Sequence, residues 1–258
     1  MNLILDFGNT YRKSAVFFQK EIIYSTAKPK IELKDIIEIE KNYDIKNVIL
    51  SSVVRDTEEI EDYLSKKYTF IKLSEKTNIP IKNAYQTPNT LGSDRLACAV
   101  AVYELFPYEN VLILQLGTCL TSDFVTKEGI YIGGSISLGM EMRFNALNHF
   151  CGKLPLVEHQ DIQFVIGKTT QEAILSGVIN GIIAECNYLI DYYKTEYTPL
   201  KIILTGGNTK EFENTIKNFE DTIKNNIVAF GGLVLFGLNT ILDYNVDCRI
   251  KAINNVKS

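Results

Sequence analysis

Histidine is scarce in this chain, and its cysteines form no ligand pattern. Two histidines, His149 and His159, and five cysteines (Cys98, Cys119, Cys151, Cys186 and Cys248) are all that 258 residues offer, at wide and irregular spacings with no CxxC pair. Such spacing excludes the common zinc sites. An odd number of cysteines argues for reduced structural thiols rather than a disulfide framework. Positive charge is not in excess either: Lys and Arg number 27 against 31 Asp and Glu, for a formal net charge of -4. A nucleic-acid backbone finds no basic face here, so no nucleic-acid partner is expected.

The start, Met1-Asn2-Leu3-Ile4-Leu5-Asp6, lacks a basic region and a long apolar region, and puts a carboxylate where a secretory signal stays apolar. A cytoplasmic location is expected. The longest apolar run, Ile227 to Leu238, is too short to span a bilayer and contains Gly231, Gly232 and Gly237. It reads as a buried helix packed closely on a neighbour, and no membrane partner is expected. No low-complexity segment or Pro/Gly/Ser linker divides the chain. Also missing are the GxxxxGK[ST] loop and the HRD and DFG motifs, which excludes two common designs for holding a nucleotide.

What is present is a plan that occurs twice. With 46% hydrophobic residues the chain can bury a sizeable core. Leu3 to Phe7 is an apolar strand running into Gly8-Asn9-Thr10, followed by strands at Ser14 to Phe18 and Ile22 to Tyr24. Leu112 to Leu116 runs into Gly117-Thr118 in the same way, with strands near Thr121 to Thr126 and Ile130 to Ile132. The two glycines stand roughly 110 residues apart, a separation that suits two similar domains in tandem rather than a short repeat. The first half continues with a helix at Leu33 to Tyr43, a strand at Asn47 to Val53, a helix at Thr57 to Lys67 and a strand at Thr69 to Leu73. The second continues with helices at Met140 to Phe150 and Thr170 to Tyr193, a strand at Lys201 to Leu204, and helices at Lys210 to Asn218 and Val228 to Leu242. The expectation is an α/β protein of two domains, 1–109 and 110–258, each a mixed sheet flanked by helices, with a cleft between them.

The glycine turns carry the chemistry. In Asp6-Phe7-Gly8-Asn9-Thr10 the glycine lets main chain approach a ligand closely, while side chains and successive N–H groups can face phosphate oxygens. Asp6 at the strand end can orient a hydrated Mg2+. The plain alternative is a hairpin turn, a common use of Gly and Asn. The second turn, at Gly117, weighs towards two phosphate turns clamping one nucleotide. Lys13 either adds positive charge at the phosphate or is only solvated. Leu204-Thr205-Gly206-Gly207-Asn208 follows a strand and precedes a helix, and serves either a nucleotide or a tight connection.

The stretch Tyr85-Gln86-Thr87-Pro88-Asn89-Thr90-Leu91-Gly92-Ser93-Asp94-Arg95 feeds a Gly-x-Asp-Arg into the start of an apolar helix. Together with the two turns it resembles the type III pantothenate kinase family of the actin-like, acetate and sugar kinase superfamily. Gly133-Gly134-Ser135-Ile136, Leu154-Pro155, Thr170-x-x-Ala173-x-x-x-Gly177 and Leu204-Thr205-Gly206-Gly207 follow in the family's order. The resemblance implies two tandem ribonuclease H-like (actin-like) domains. It also implies Mg2+- and ATP-dependent phosphorylation of pantothenate at its terminal hydroxyl, the first step of coenzyme A biosynthesis, by a homodimer. Asp94 matches the family's catalytic base, a role a carboxylate within reach of the acceptor hydroxyl can fill; Ser93 and Asp94 otherwise only cap the helix. Tyr85, Gly92, Ser93, Arg95 and Thr170 match substrate contacts. The nucleotide segment runs through Asp6, Phe7, Gly8, Asn9, Thr10, Tyr11, Arg12 and Lys13, joined by Gly117, Thr118, Gly206 and Gly207.

One departure stands out. Where the family's second turn begins with an aspartate that helps hold a monovalent cation (K+ or NH4+), this chain has Gln115. A neutral amide loses the charge that makes such a site attractive, so weak or absent dependence on the cation is expected. Asp123 lies a few residues on as a substitute carboxylate, and Leu138 replaces a usual proline with little expected consequence. The change also keeps in view a non-catalytic relative of the Bvg accessory factor type, although Asp6, Asp94 and Arg95 are all retained. The Gly-x-Asp-Arg loop speaks against a sugar or acetate kinase.

Overall fold

The chain is described by a computed structural model covering residues 1–207 and 226–257. Its first strands are β1 (Asn2–Phe7), β2 (Arg12–Phe18) and β3 (Glu21–Lys28). They are followed by α1 (Leu33–Asn42), β4 (Asn47–Ser52), α2 (Glu58–Lys67), β5 (Thr69–Lys72), the short β6 (Lys82–Asn83) and α3 (Ser93–Leu105). β1 pairs antiparallel with β2 and parallel with β4, giving a sheet of order β3-β2-β1-β4-β5. Central position explains the near-continuous apolar run of β1, since both its faces are covered. Leu3, Leu5 and Phe7 point to a core completed by Ile36 and Ile39 of α1 and Ile60 and Leu64 of α2. Each such side chain contributes about 1.5–3 kcal/mol through burial. α1 starts where Asp35 accepts a hydrogen bond from the backbone N–H of Glu32 (2.8 Å), satisfying a donor that the helix leaves open.

The second set repeats the plan: β7 (Asn110–Leu116), β8 (Cys119–Val125), β9 (Ile130–Leu138), α4 (Met140–Phe150), α5 (Thr170–Glu196), β10 (Leu200–Thr205), β11 (Ile227–Ala229) and α6 (Leu233–Lys257). β7 pairs antiparallel with β8 and parallel with β10. The sheet order β11-β10-β7-β8-β9 has the connectivity of the first sheet, with β6 added beside Ile130 and Tyr131 at the start of β9. α5 begins at a reciprocal cap, Glu172 N–H to Thr169 Oγ1 and Thr169 N–H to Glu172 Oε2, both 3.2 Å. By length and composition it is the one described helix apolar enough to cross a membrane. Eight of its side chains are instead buried, from Ile174 to Ile190, against β7, β8 and β10. Burial there pushes the Cys186 thiol up to about 12, which keeps it unreactive.

Two compact units result: Met1–Pro107 with Gly129–Tyr131 and Gly232–Ser258, and Tyr108–Glu128 with Ile132–Gly231. A single cut at 109/110 differs from this grouping, because α6 packs on α3, β1 and β4 of the first unit. The contact is close at Gly237, where any Cβ would fall 1.8 Å from the Ala97 carbonyl oxygen. The helix expected at Val228 to Leu242 is corrected at its start. Ile227 to Ala229 pair with β10 as a strand, and the chain breaks at Gly232, whose φ is +81°. The helix expected at Lys210 to Asn218 lies outside the described residues.

Candidate active site

Within the first unit, the parallel register of β1 and β4 sets Asp6 beside Ser51, and the β1–β2 hairpin sets Asp6 opposite Lys13. The hairpin is closed by Gly8 N–H donating to the Tyr11 carbonyl (3.1 Å). Ser51 Oγ donates to Asp6 Oδ1 (3.3 Å) and lies 2.8 Å from Ser93 Oγ. Ser93 opens α3, so this chain of hydroxyls ties the start of the Gly-x-Asp-Arg helix to the strand end that carries Asp6. Burial raises Asp6 from the ordinary 3.8 to about 6. Lys13 opposes the rise, the nearby charge of Asp94 adds to it, and the Ser51 bond lowers it. Two carboxylates therefore face one region at the carboxyl ends of parallel strands, where α/β folds bind ligands.

Asp94 sits in the first turn of α3, where Gly92 is the cap residue, and its Oδ1 accepts from the backbone N–H of Arg95 (2.9 Å). Arg95 is buried, with its guanidinium 5.8 Å from the Tyr85 ring centre, and Tyr85 stands 6.2 Å from Tyr131. Asn9, Thr10 and Tyr11 are exposed on the turn, and Lys13 is partly buried. Phe7 and Arg12 behave differently, as strand alternation requires. The Phe7 ring is in the first core, and Arg12 grips both oxygens of Asp56 (2.7 Å each) beneath it. Their side chains serve the fold, which leaves only their backbone to a ligand.

Within the second unit, Gly117 N–H donates to the Cys119 carbonyl (3.0 Å), closing the β7–β8 turn. The register pairs Gln115 with Thr121 on one side and Thr205 on the other. Gly206 and Gly207 therefore leave the sheet next to the Gly117-Thr118 turn, and Gly206, at φ +109°, lies against the Leu116 carbonyl. Gln115, Gly117, Thr118, Gly206 and Gly207 are thus brought together; Asn208 lies outside the described residues. Thr170 opens α5 and lines a cavity of about 570 Å³ with Leu138, Arg143, Leu147 and Leu154. Asp123 is buried on β8 opposite Ile113, two residues further from the turn than Gln115.

Sequence reasoning missed Ser51, whose signal was a polar pair, Ser51-Ser52, ending an otherwise apolar strand. It also missed Arg143 and Glu185, which no motif contains.

Two units of one topology, with glycine turns and a carboxylate at the strand ends, define the fold class of the actin-like ATPases and sugar kinases. Solved structures agree on the fold. A Campylobacter jejuni protein assigned to the Baf family of transcriptional activators has a TM-score of 0.58 at 20% identity, over 95% of this chain and 99% of that one. The activator of 2-hydroxyisocaproyl-CoA dehydratase from Clostridium difficile scores 0.54 at 12% identity, over 100% and 98%. Sequence narrows the class. The type III pantothenate kinase family model matches residues 2–192. The type III pantothenate kinase of Christiangramia forsetii is 39% identical over 247 residues, 95% of this chain and 99% of the relative. That of Cytophaga hutchinsonii is 40% identical over 246, at 95% and 100%. The chain belongs to the type III pantothenate kinase family.

Proposed function

We propose that this chain transfers the γ-phosphoryl group of ATP to the terminal hydroxyl of pantothenate, giving 4'-phosphopantothenate and ADP at the start of coenzyme A synthesis. Family membership sets the reaction, and the observation that carries the assignment of roles is the placement of Asp94 in the first turn of α3, within electrostatic reach of Asp6. Asp94 orients the acceptor hydroxyl and takes its proton as the oxygen attacks the γ-phosphorus and ADP departs. The exposed turn from Gly8 to Tyr11, with Lys13, meets the phosphates, and Gly117, Thr118, Gly206 and Gly207 form the second nucleotide turn. Gly92, Ser93, Tyr85, Arg95 and Thr170 serve the pantothenate. Arg95, buried beside the Tyr85 ring, offers its charge to the substrate carboxylate.

Among the described residues no group of three His, Cys, Asp or Glu side chains could hold a metal ion. A carboxylate that burial has driven up to about 6 nonetheless fits a hydrated Mg2+ brought in with ATP, since a nearby cation restores its charged form. Asp6 would hold that ion through water, and the ion would neutralise phosphate charge. A homodimer is part of the same reading. Phe150, Leu156, Val165 and Ile166 expose large apolar side chains on the second unit, at 57–81% of full exposure, the kind of surface that self-association covers. Sedimentation of wild type against Ile166→Lys tests it, with a dimer expected for the first and a monomer for the second.

The activity is tested by ADP release from purified protein with Mg·ATP and pantothenate, beside Asp94→Asn and a panel of sugars and acetate. Turnover on pantothenate that falls at least about 100-fold in Asp94→Asn, with an unchanged melting temperature, supports the kinase. Turnover on a sugar redirects the assignment, and none with any acceptor favours a binding protein of the Bvg accessory factor kind.

A further inference from the structure

We infer that Arg143 and Glu185 are positioning residues for the Gly117-Thr118 turn, a role that rests on that turn holding the nucleotide. Gly139 lies against the turn: its N–H donates to the Thr118 carbonyl (3.1 Å), and a Cβ at 139 would fall 2.2 Å from the Gly117 oxygen and 2.3 Å from the Thr118 oxygen. The turn and Gly139 are therefore coupled through backbone.

Gly139 is in turn fixed by Arg143. It joins the end of β9 to α4, and its carbonyl accepts from the Arg143 N–H (3.0 Å). The Arg143 side chain then folds back onto the two residues before the glycine. Nε donates to the Leu138 carbonyl (2.8 Å) and Nη2 to Ser137 Oγ (3.3 Å). The same Nη2 pairs with Glu185 of α5, whose other oxygen accepts from Ser137 Oγ (2.5 Å). One guanidinium and one carboxylate thus lock three elements, the end of β9, the first turn of α4 and the middle of α5, around the glycine that carries the turn. With side chains 20% and 28% exposed, the pair is sheltered enough for charge-assisted bonds to hold geometry. Lysine cannot replace the arginine, because it lacks the planar fork that reaches a carbonyl, a hydroxyl and a carboxylate together.

The test is steady-state kinetics on the full-length protein for Arg143→Lys, Glu185→Gln and Thr118→Ala, with melting temperatures recorded. Arg143→Lys and Glu185→Gln are expected to raise KM for ATP by about fivefold to tenfold, because small misplacements of a binding group are costly. Arg143 also lines the cavity beside Thr170, so only Glu185→Gln is expected to keep KM for pantothenate within about twofold of wild type. Glu185→Gln keeps the shape and one hydrogen bond, so it reports even if Arg143→Lys folds poorly. Thr118→Ala separates this inference from the reading beneath it. If Thr118→Ala leaves KM for ATP unchanged, the turn does not hold the nucleotide and the reading fails. If Thr118→Ala raises it while both clamp variants lower only the melting temperature or the active fraction, the pair is merely structural and the inference is overturned.

Discussion

Ser51 donates a 3.3 Å hydrogen bond to Asp6, its register partner on the neighbouring parallel strand. The same hydroxyl reaches Ser93, so the strand end and the helix bearing Asp94 share one polar link.

Asp6 should cost the fold stability at neutral pH. Its pKa is raised from 3.8 to about 6, chiefly by burial. Below about pH 4 the carboxyl is protonated in both folded and unfolded chains, and the penalty is absent. Between about pH 4 and 6 the unfolded chain ionises this group while the folded protein keeps it protonated, so stability falls by on the order of 2–3 kcal/mol and levels off above pH 6. Asp6→Asn, without Mg2+ or nucleotide, is expected to melt about 5 °C or more above wild type at pH 8, with the gain shrinking towards pH 4. The variant should lose Mg·ATP turnover. Thermal scans from pH 4.5 to 8 check this, and a gain that does not grow between pH 4.5 and about 6 contradicts it.

Gly237→Ala should destabilise the first unit, by about 3 kcal/mol or more, because the new methyl meets backbone, the Ala97 carbonyl, rather than a side chain that can turn away. Gly177→Ala is the contrasting case. Nothing lies within 4 Å of a Cβ there, in the interior of α5, so a gain of about 0.5–1 kcal/mol is expected. Urea denaturation of both variants reads the difference, and equal effects would contradict the packing described.

Monovalent cations should matter little. Gln115 offers an amide oxygen where a carboxylate would draw K+, and Asp123 lies two residues deeper along β8, so it does not take the amide's place at the turn. Activity titrated with KCl at constant ionic strength should be nearly flat for wild type. Gln115→Asp should introduce a saturable rise of severalfold. A steep saturable response in the unmodified chain would show that the amide suffices.

Most of the fold could be read from the chain because apolar strands ending in glycine turns, and helices with strong periodicity, announce themselves. α4 begins and ends at the residues expected, and β1 and β7 differ only at their edges. The β11–α6 boundary was hidden, since Ile227 to Leu238 is apolar throughout and periodicity cannot separate a buried strand from a buried helix. Lys13 and Asp94, from separate motifs, both lie within electrostatic reach of Asp6. Phe7 and Arg12 lay inside the same motif yet face the core, because a motif records spacing and a strand alternates sides. Ser51 was marked only by the polar pair that ends its apolar strand, and Arg143 and Glu185 by no motif, because their pairing joins α4 to α5 across residues distant in sequence.

The C-terminal helix has a consequence for how the protein is made. Residues 233–257 close a layer begun by the first strands, packing on α3 and β1. A ribosome translating this chain therefore cannot finish the amino-terminal unit before the other one has emerged. The nascent chain must carry an uncovered apolar face through most of synthesis, a state in which chaperone binding or aggregation competes with folding.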